Sequence, residues 1–364
     1  MGSVYSSKEP ISSINKKKGG RTMKRKFVLL SMLSLVVIFF FVTQNAFSAA
    51  EKPIELKFAS FLPVMHHQHI EAFVPFAKEV EERTKGRVKV TLYPSEAICK
   101  ARDLYDCALQ GIAETAFFIP SYTAGRFPLT TVMELPIGVP SAKVGTQVIW
   151  DLYEKYFKAE YAGVKLLSLW TIQPAHIFTT KKPIKTLEDL RGLRIRSPGP
   201  LQTITLKEFG ASPISMPASD LYDALQRGMV DGMLTDFAAL KGFRFVEVVK
   251  YCTPANFYSL PMGYAANLKS WNSLPPDIQK IMEELTGLRF AENNAKSFDK
   301  NDVIGRDLSK GKVEIHELSA EQKKIWAEKF KNIYEKWVTD MEAKGLPGKK
   351  VYEDALSLLT KYSK

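Results

Sequence analysis

The sequence predicts an α/β protein of two domains, and three observations carry this prediction. Short apolar stretches alternate with amphipathic helical stretches from Ile54 onward, and the same alternation restarts at Val164. Beyond Pro275-Pro276 the sequence has helical periodicity over long stretches. Strands that alternate with helices form parallel or mixed sheets covered by helices. A chain of 364 residues is long enough for two domains of ordinary size.

The first α/β unit is predicted from alternating apolar residues in its strands and helical spacing in its helices. Gly86 and Gly111 stand just beyond the two predicted helices, and Pro94 ends the second predicted strand. The predicted elements are strands at 54–59, 88–93 and 113–119, and helices at 69–84 and about 101–110.

The second unit repeats this pattern. Gly210 and Gly228 end its two predicted helices, and Ser219 is the predicted N-cap of the second one. Two longer helical stretches then continue to about residue 308 and over 320–343. The predicted strands of this unit lie at 164–171, 176–180, 193–196, 212–216 and 230–234.

The N-terminal residues predict a secretory signal peptide with an upstream extension, over residues 1–50. The basic run Lys24-Arg25-Lys26 precedes an apolar stretch at 27–42, and small residues follow at 46–50. This order predicts export to the periplasm with cleavage near residues 48–50, and Met23 is a candidate start. The alternative is an uncleaved membrane anchor, although the apolar stretch is short for one.

Charge and motifs exclude several function classes. The formal net charge is +12, but basic residues concentrate in the N-terminal extension, and both signs mix along the rest of the chain. We therefore expect no nucleic-acid binding. The sequence has none of the common hydrolase, metalloprotease or nucleotide-binding motifs, so we expect no enzyme, no cofactor and no metal.

The three cysteines leave their pairing open. Export places the chain in an oxidising compartment, where Cys99 and Cys107 can close a small loop and Cys252 is left over. The spacing alone does not decide whether that bridge forms, because the Cα separation controls it.

Arg196 is the leading candidate for ligand contact. It is the last residue of the predicted strand at 193–196, immediately before Ser197-Pro198-Gly199. Ligands of open α/β sheets bind at the carboxyl ends of strands, and a guanidinium there can hold a carboxylate through two parallel hydrogen bonds. The alternative is an ordinary surface arginine, like Arg194.

Two central motifs resemble the solute-binding proteins of tripartite ATP-independent periplasmic (TRAP) transporters. The first runs from Gly192 through Arg196 to Pro198, and the second covers residues 210–232. Shorter similarities include Phe76-Ala77-Lys78-Glu79-Val80, Arg126-Phe127-Pro128 and Leu274-Pro275-Pro276-Asp277. Altogether the resemblance covers roughly residues 54–345.

The resemblance implies a two-domain periplasmic binding protein, a type II-like clamshell with a long helix that spans both domains. It implies an organic acid held by Arg196 and delivered to membrane permease subunits, and we expect a monomer. On this basis we expect domain I at 54–173 plus 263–301 and domain II at 174–262 plus 302–345. A C-terminal helical segment follows at 346–364.

Further cleft positions follow from the resemblance and from predicted strand ends. His176 and Tyr122 stand where sialic-acid-binding members carry more polar contacts, which favours a partly apolar acid with a single carboxylate. Thr235 and Asp236 stand where many members have amides, although an unpaired carboxylate near an anion is costly. Four aromatic residues are candidate cleft walls, with core packing as the alternative for each: Phe61, Trp170, Phe257 and Tyr258.

Three histidines, His66, His67 and His69, lie between the first strand and the first helix. A metal site is one interpretation, but neighbouring residues converge poorly on one ion, so we expect at most a ligand contact by His66. The alternative functions are a binding protein of an ATP-driven transporter or a periplasmic sensor, and, with weaker support, a periplasmic enzyme or metal-binding protein.

Overall fold

Eleven strands form two separate sheets in the described part of the chain. The computed structural model describes residues 52–364. The strands are β1 Ile54–Ala59, β2 Val88–Tyr93, β3 Thr115–Phe118, β4 Val164–Thr171, β5 His176–Thr179, β6 Arg194–Ser197, β7 Ser212–Ser215, β8 Gly232–Thr235, β9 Tyr251–Thr253, β10 Pro261–Asn267 and β11 Glu314–Ile315.

The first sheet has the order β2-β1-β3-β10-β4 and defines the first lobe. Strands β1, β2 and β3 are parallel, and β10 runs antiparallel to both β3 and β4. The amino end of β10 therefore lies at the same edge as the carboxyl ends of β1 and β3. Gly263 in β10 permits the close approach of the Phe118 ring, which would lie 2.3 Å from a Cβ at that position.

The second sheet has the order β11-β9-β5-β8-β6-β7 and defines the second lobe. Strand β6 is parallel to β7 and β8, whereas β5 is antiparallel to β8 and β9. Ile195, the residue before Arg196 in β6, is fully buried, so Arg196 directly follows a core residue in this strand. The predicted α/β class with two sheets is confirmed.

Helices cover both sheets and make up most of the C-terminal third. They are α1 Val74–Arg83, α2 Leu104–Gln110, α3 Ala142–Leu152, α4 Pro200–Glu208, α5 Leu221–Gln226, α6 Ala239–Gly242, α7 Leu268–Asn272, α8 Pro276–Leu285, α9 Gly287–Ser309, α10 Ala320–Glu342 and α11 Gly348–Tyr362.

One helical stretch and one helix cap differ from the prediction. The helical stretch before residue 309 is broken between α8 and α9, where Thr286 is extended, with φ −105° and ψ −144°, and Gly287 has φ +59°. The prediction of Ser219 as an N-cap is wrong. Ser219 lies inside a short 3₁₀ helix, and its hydroxyl donates to Glu96 Oε1 at 3.1 Å, so it joins the two lobes instead.

The chain crosses between the lobes in two segments that hydrogen-bond to each other. After β4, Ile172 N donates to Leu260 O at 3.1 Å and Ala175 N donates to Tyr258 O at 2.8 Å. Helix α9 contacts β4 and α3 in the first lobe and α6 in the second. Gly305 allows α9 to lie against the backbone of Phe237 in the second lobe. These connections have the arrangement of a hinge.

Most of the buried apolar side chains form one core that extends from the first lobe and the C-terminal helices into the second lobe, and a smaller core lies within the second lobe. Cys99 and Cys107 form a disulfide with a Cα separation of 6.4 Å, and Cys252 is free and buried. No helix within residues 52–364 has the length and apolar character to span a membrane. The predicted signal peptide lies outside the described residues.

Candidate ligand-binding site

A cavity of about 40 Å³ lies between the lobes, where strands of both sheets end. Tyr122 follows β3, Arg196 belongs to the end of β6, and Thr235 ends β8. A water molecule needs about 10–15 Å³, so this cavity has room for a few waters. An organic acid is larger than this space, so its binding requires the lobes to move apart.

Seven of the ten residues predicted for ligand contact line this cavity. They come from both lobes and from segments separated by up to two hundred positions in the sequence. They are Phe61, His66, Tyr122, Arg196, Thr235, Asp236 and Tyr258.

Backbone carbonyls hold the Arg196 guanidinium in place. Nε donates to Met216 O at 2.9 Å, and Nη1 donates to Leu234 O at 3.3 Å. Nη2 donates to the Tyr122 hydroxyl at 3.1 Å. A guanidinium carries five N–H groups, so one remains on each terminal nitrogen. Two N–H groups on neighbouring nitrogens can bind both oxygens of a carboxylate.

Arg196 is buried without a neutralising carboxylate. It is 3% exposed, and it forms no salt bridge with any acidic residue in the described part of the chain. Arg194, two residues earlier, binds Asp231 through both Nε and Nη2, at 3.0 and 2.9 Å. A buried charge without a partner is costly, so the site of Arg196 favours an anionic ligand.

Tyr122 connects the lobes at Arg196. Its hydroxyl oxygen accepts from Arg196 Nη2 and from Ala218 N, the latter at 2.9 Å. A phenol oxygen has two acceptor sites and one proton. With both acceptor sites occupied by the second lobe, the Tyr122 proton is free to be donated to a ligand oxygen.

Asp236 does not have to carry a negative charge in the cavity. Burial, together with the nearby Asp302, raises the pKa of Asp236 to about 7. Its Oδ1 accepts from Ala239 N at 2.8 Å at the start of α6. With this pKa the carboxyl group is partly protonated at neutral pH, which reduces the repulsion that an anionic ligand would otherwise meet.

Apolar side chains form the rest of the wall, and several were missed in the sequence. Phe61 stacks with Phe243, with ring centroids 6.4 Å apart, and lies 5.8 Å from the Tyr122 ring. The missed residues lie beside strand ends or on helices packed there. Proximity to a predicted strand end is the sequence signal that could have identified them. They include Ile119, Ile172, Phe243, Leu260, Met262 and Phe298.

Three predicted contact residues lie away from the cavity lining. Trp170 stacks with Phe117 at 5.8 Å in the first lobe. Phe257 packs against Trp326, with ring centroids 5.7 Å apart. His176 lies beside Arg306, whose Nη2 is 3.4 Å from its Nε2. Burial and this arginine lower the pKa of His176 to about 3.

The three neighbouring histidines do not converge on a common point. His67 Nδ1 is 2.8 Å from Ser297 Oγ, whereas the His66 ring faces Phe243. No group of three or more metal-ligating side chains comes together in residues 52–364.

Comparison with known proteins places the chain among extracellular binding proteins. The model of the family "Bacterial extracellular solute-binding protein, family 7" matches residues 58–340. A TRAP solute-binding protein from Rhodoferax ferrireducens, solved with copurified benzoate, is 27% identical, and the match covers 85% of this chain and 98% of that one, with a TM-score of 0.81.

Two further solved structures are similar over the same region. A TRAP solute-binding protein from a marine metagenome, in complex with 3-hydroxybenzoate, is 26% identical with a TM-score of 0.82, and the match covers 86% of this chain and 100% of that one. One from Bordetella bronchiseptica, with bound (R)- and (S)-mandelate, is 29% identical with a TM-score of 0.79, covering 85% and 99%.

Proposed function

The chain belongs to family 7 of the bacterial extracellular solute-binding proteins, and on this premise we propose that it captures a small organic monocarboxylate for a TRAP-type permease. The acid is held between the lobes and delivered to the membrane subunits of the transporter. The family model covers residues 58–340 and the similarity to the structure solved with benzoate covers 85% of the chain, so the resemblance includes both lobes.

The observation that carries the proposal is the buried, unneutralised guanidinium of Arg196. Two of its N–H groups are fixed by the carbonyls of Met216 and Leu234 on its own lobe, so its orientation is set before a ligand arrives, and Tyr122 accepts from a third in the closed state. A carboxylate that accepts from the two remaining N–H groups and from the Tyr122 hydroxyl neutralises the charge. This arrangement serves one carboxylate, and no second cationic side chain lines the described cavity.

The apolar wall supports an acid with a flat, apolar body. Phe61, Phe243 and Phe298 line the cavity together with aliphatic residues. The three similar structures named above hold benzoate, 3-hydroxybenzoate and mandelate, each a monocarboxylate that carries a ring. An aromatic monocarboxylate is therefore the ligand class we assign to this chain.

The remaining features follow from the same role. The protein acts outside the cytoplasm, in the periplasm, after removal of the predicted signal peptide. It binds as a monomer and releases the acid unchanged, without catalysis. Its partners are the acid and the integral membrane subunits of the permease.

A melting-temperature screen of purified protein against aromatic and aliphatic acids tests the proposal. Binding to the folded state raises stability by about 2.7 kcal/mol at a ligand concentration one hundred times Kd. An aromatic monocarboxylate should raise Tm, and calorimetry should give one site per chain. Turnover of the acid to a product would contradict the proposal.

Arg196→Lys and Arg196→Ala should each weaken binding by roughly 30-fold or more, because loss of a buried charged hydrogen-bonding group costs about 2–5 kcal/mol. Arg194→Lys is the matched control on the same strand, since Arg194 pairs with Asp231 outside the cavity. Unchanged affinity in Arg196→Lys would defeat the assignment of a two-bond carboxylate contact.

A further inference from the structure

His66 is a buried cavity residue with a defined proton position. It is 2% exposed and lies in the loop that follows β1. Its Nδ1 accepts from Gln68 N at 3.3 Å. A nitrogen that accepts a hydrogen bond carries no proton in neutral imidazole, so the proton resides on Nε2.

The ring stays neutral and fixed. Burial, with smaller contributions from His67 and His69, lowers the pKa of His66 well below its usual value. The His67 ring stacks on it at 4.3 Å, and Phe243 contacts it edge-on at 4.9 Å. Helix α6 of the second lobe closes over the edge of the ring, where a Cβ on Gly242 would lie 2.4 Å from Cδ2.

The Nε2–H group is a donor without an acceptor. No atom within residues 52–364 forms a hydrogen bond with His66 Nε2, although His66 lines the cavity. The side chain is buried, but this nitrogen keeps some accessibility, so a ligand oxygen in the cavity can replace water as its acceptor.

A series of aromatic contacts connects His66 to the carboxylate site. Tyr122, which contacts Arg196, is next to Phe61, Phe61 stacks with Phe243, and Phe243 contacts His66. The cavity wall thus carries an imidazole donor in addition to the carboxylate site, with aromatic rings beside both. Such a wall suits a ligand that has an apolar ring and a second polar group.

We propose that His66 Nε2–H donates a hydrogen bond to a second oxygen on the ligand, one that does not belong to the carboxylate held at Arg196. The preferred ligands are then aromatic monocarboxylates that carry a hydroxyl or carbonyl oxygen, rather than the unsubstituted acids. This inference rests on the proposed function, since it takes the carboxylate to be held at Arg196.

Matched pairs of acids test it by calorimetry. Benzoate is compared with 2-, 3- and 4-hydroxybenzoate, and phenylacetate with 3- and 4-hydroxyphenylacetate, so that the position and reach of the hydroxyl vary. At least one hydroxylated acid should bind wild-type protein about 10-fold more tightly than its parent, equivalent to about 1.4 kcal/mol. If no hydroxylated acid is preferred, the inference is overturned.

His66→Phe keeps a flat ring and removes the donor. It should reduce the preference for the hydroxylated acid to about 2-fold or less, while the parent acid keeps its affinity within a few-fold. His66→Gln, which restores an N–H donor, should recover part of the preference. Equal loss for both members of a pair in His66→Phe would assign His66 a structural role and reject the inference.

These outcomes separate the inference from the proposed function. Failure of every acid to bind, or unchanged binding in Arg196→Lys, would remove the carboxylate site itself. Tight, Arg196-dependent binding without any effect of His66 on the hydroxyl preference would remove only the role of His66.

Discussion

The hydroxyl of Tyr122 on the first lobe lies 3.1 Å from Nη2 of Arg196 on the second lobe. The same oxygen accepts from Ala218 N, so the second lobe occupies both of its acceptor sites. The contact joins the lobes at the point where the proposed carboxylate binds. Closure of the lobes and recognition of the carboxylate therefore depend on the same phenol.

Tyr122→Phe should weaken acid binding by roughly 10-fold to 100-fold, because a hydrogen bond to a charged group contributes about 1.5–3 kcal/mol. Tyr264→Phe is the matched control. Its hydroxyl donates to Thr115 Oγ1 at 3.1 Å within the first sheet, away from the cavity lining, so its loss should lower Tm and leave affinity unchanged. Calorimetry and thermal unfolding of both variants measure the two effects, and equal affinities would reject the role of Tyr122.

Gly199→Ala should hinder closure of the lobes. Gly199 is extended, with φ −157°, so alanine fits its backbone without strain. A Cβ there would lie 2.7 Å from Ser121 Cβ and 2.9 Å from Ser121 O on the opposite lobe. Overpacking of this kind costs about 1–3 kcal/mol.

We expect the Gly199→Ala variant to bind its acid roughly 10-fold more weakly, with an unfolding free energy close to wild type in the absence of ligand. Combining it with Ser121→Gly removes one of the two close contacts and should restore part of the affinity. A double-mutant cycle by calorimetry measures this coupling. Additive effects would mean that the two residues do not meet during binding.

The position of Arg196 at a strand end was predictable from sequence because two local signals agree. The apolar alternation of its strand placed it at the carboxyl end, and the following Ser-Pro-Gly turn marked where the strand stops. The strand as observed, Arg194–Ser197, extends one residue further. What the pattern could not distinguish was the pairing of Arg194 with Asp231, which is 37 residues away.

Aromatic residues were harder to assign, because burial looks the same in a core and in a cavity wall. Trp170 and Phe61 both follow apolar stretches near strand ends, yet only Phe61 lines the cavity. The strand that carries Trp170 is buried on both faces. The partner of His176, Arg306, is on a helix 130 positions later, so its contact is set by the tertiary fold.

Phe257→Leu and Phe243→Leu should separate core packing from ligand contact. Phe257 packs against Phe209, Trp326 and Phe330, away from the cavity lining. Its substitution should lower the unfolding free energy by about 1 kcal/mol and leave Kd unchanged. Phe243→Leu should weaken binding of aromatic acids several-fold. Urea unfolding and calorimetry on both variants measure this contrast. If Phe257 touched the ligand, Phe257→Leu would also raise Kd.

The disulfide should stabilise the first lobe. Closing the loop between Cys99 and Cys107 contributes about 2–3 kcal/mol in the chain-entropy description. A reductant should lower the urea midpoint of wild-type protein and have no effect on the Cys99→Ala/Cys107→Ala double variant. Cys252→Ala is the control, because Cys252 is free, and its response to reductant should match that of wild type.

Glu134 should make stability depend on pH. Burial raises the pKa of Glu134 to about 7, and Gln202 Nε2 of the second lobe donates to its Oε2 at 2.9 Å. Ser121 is the other polar neighbour that acts on this carboxyl group. The folded state therefore binds a proton more tightly than the unfolded chain, whose carboxyl group has a pKa near 4.5.

The contribution of Glu134 is complete below about pH 4.5 and is lost as pH rises to about 7, by on the order of 3 kcal/mol. Asp236, whose pKa is also raised, acts with the same sign. Glu134→Gln cannot ionise, so its unfolding free energy relative to wild type should increase from pH 5 to pH 8.

Urea unfolding of wild type and Glu134→Gln at pH 5, 6, 7 and 8 gives the difference between their unfolding free energies. The contributions of all other titrating groups cancel in this difference. Glu154→Gln is the control, since the pair of Glu154 with Lys158 is exposed and such pairs contribute about 0–1 kcal/mol. A difference that stays constant across the pH range would show that Glu134 is ionised in the folded protein throughout. The hydrogen bond from Gln202 would then join the lobes through a buried charge.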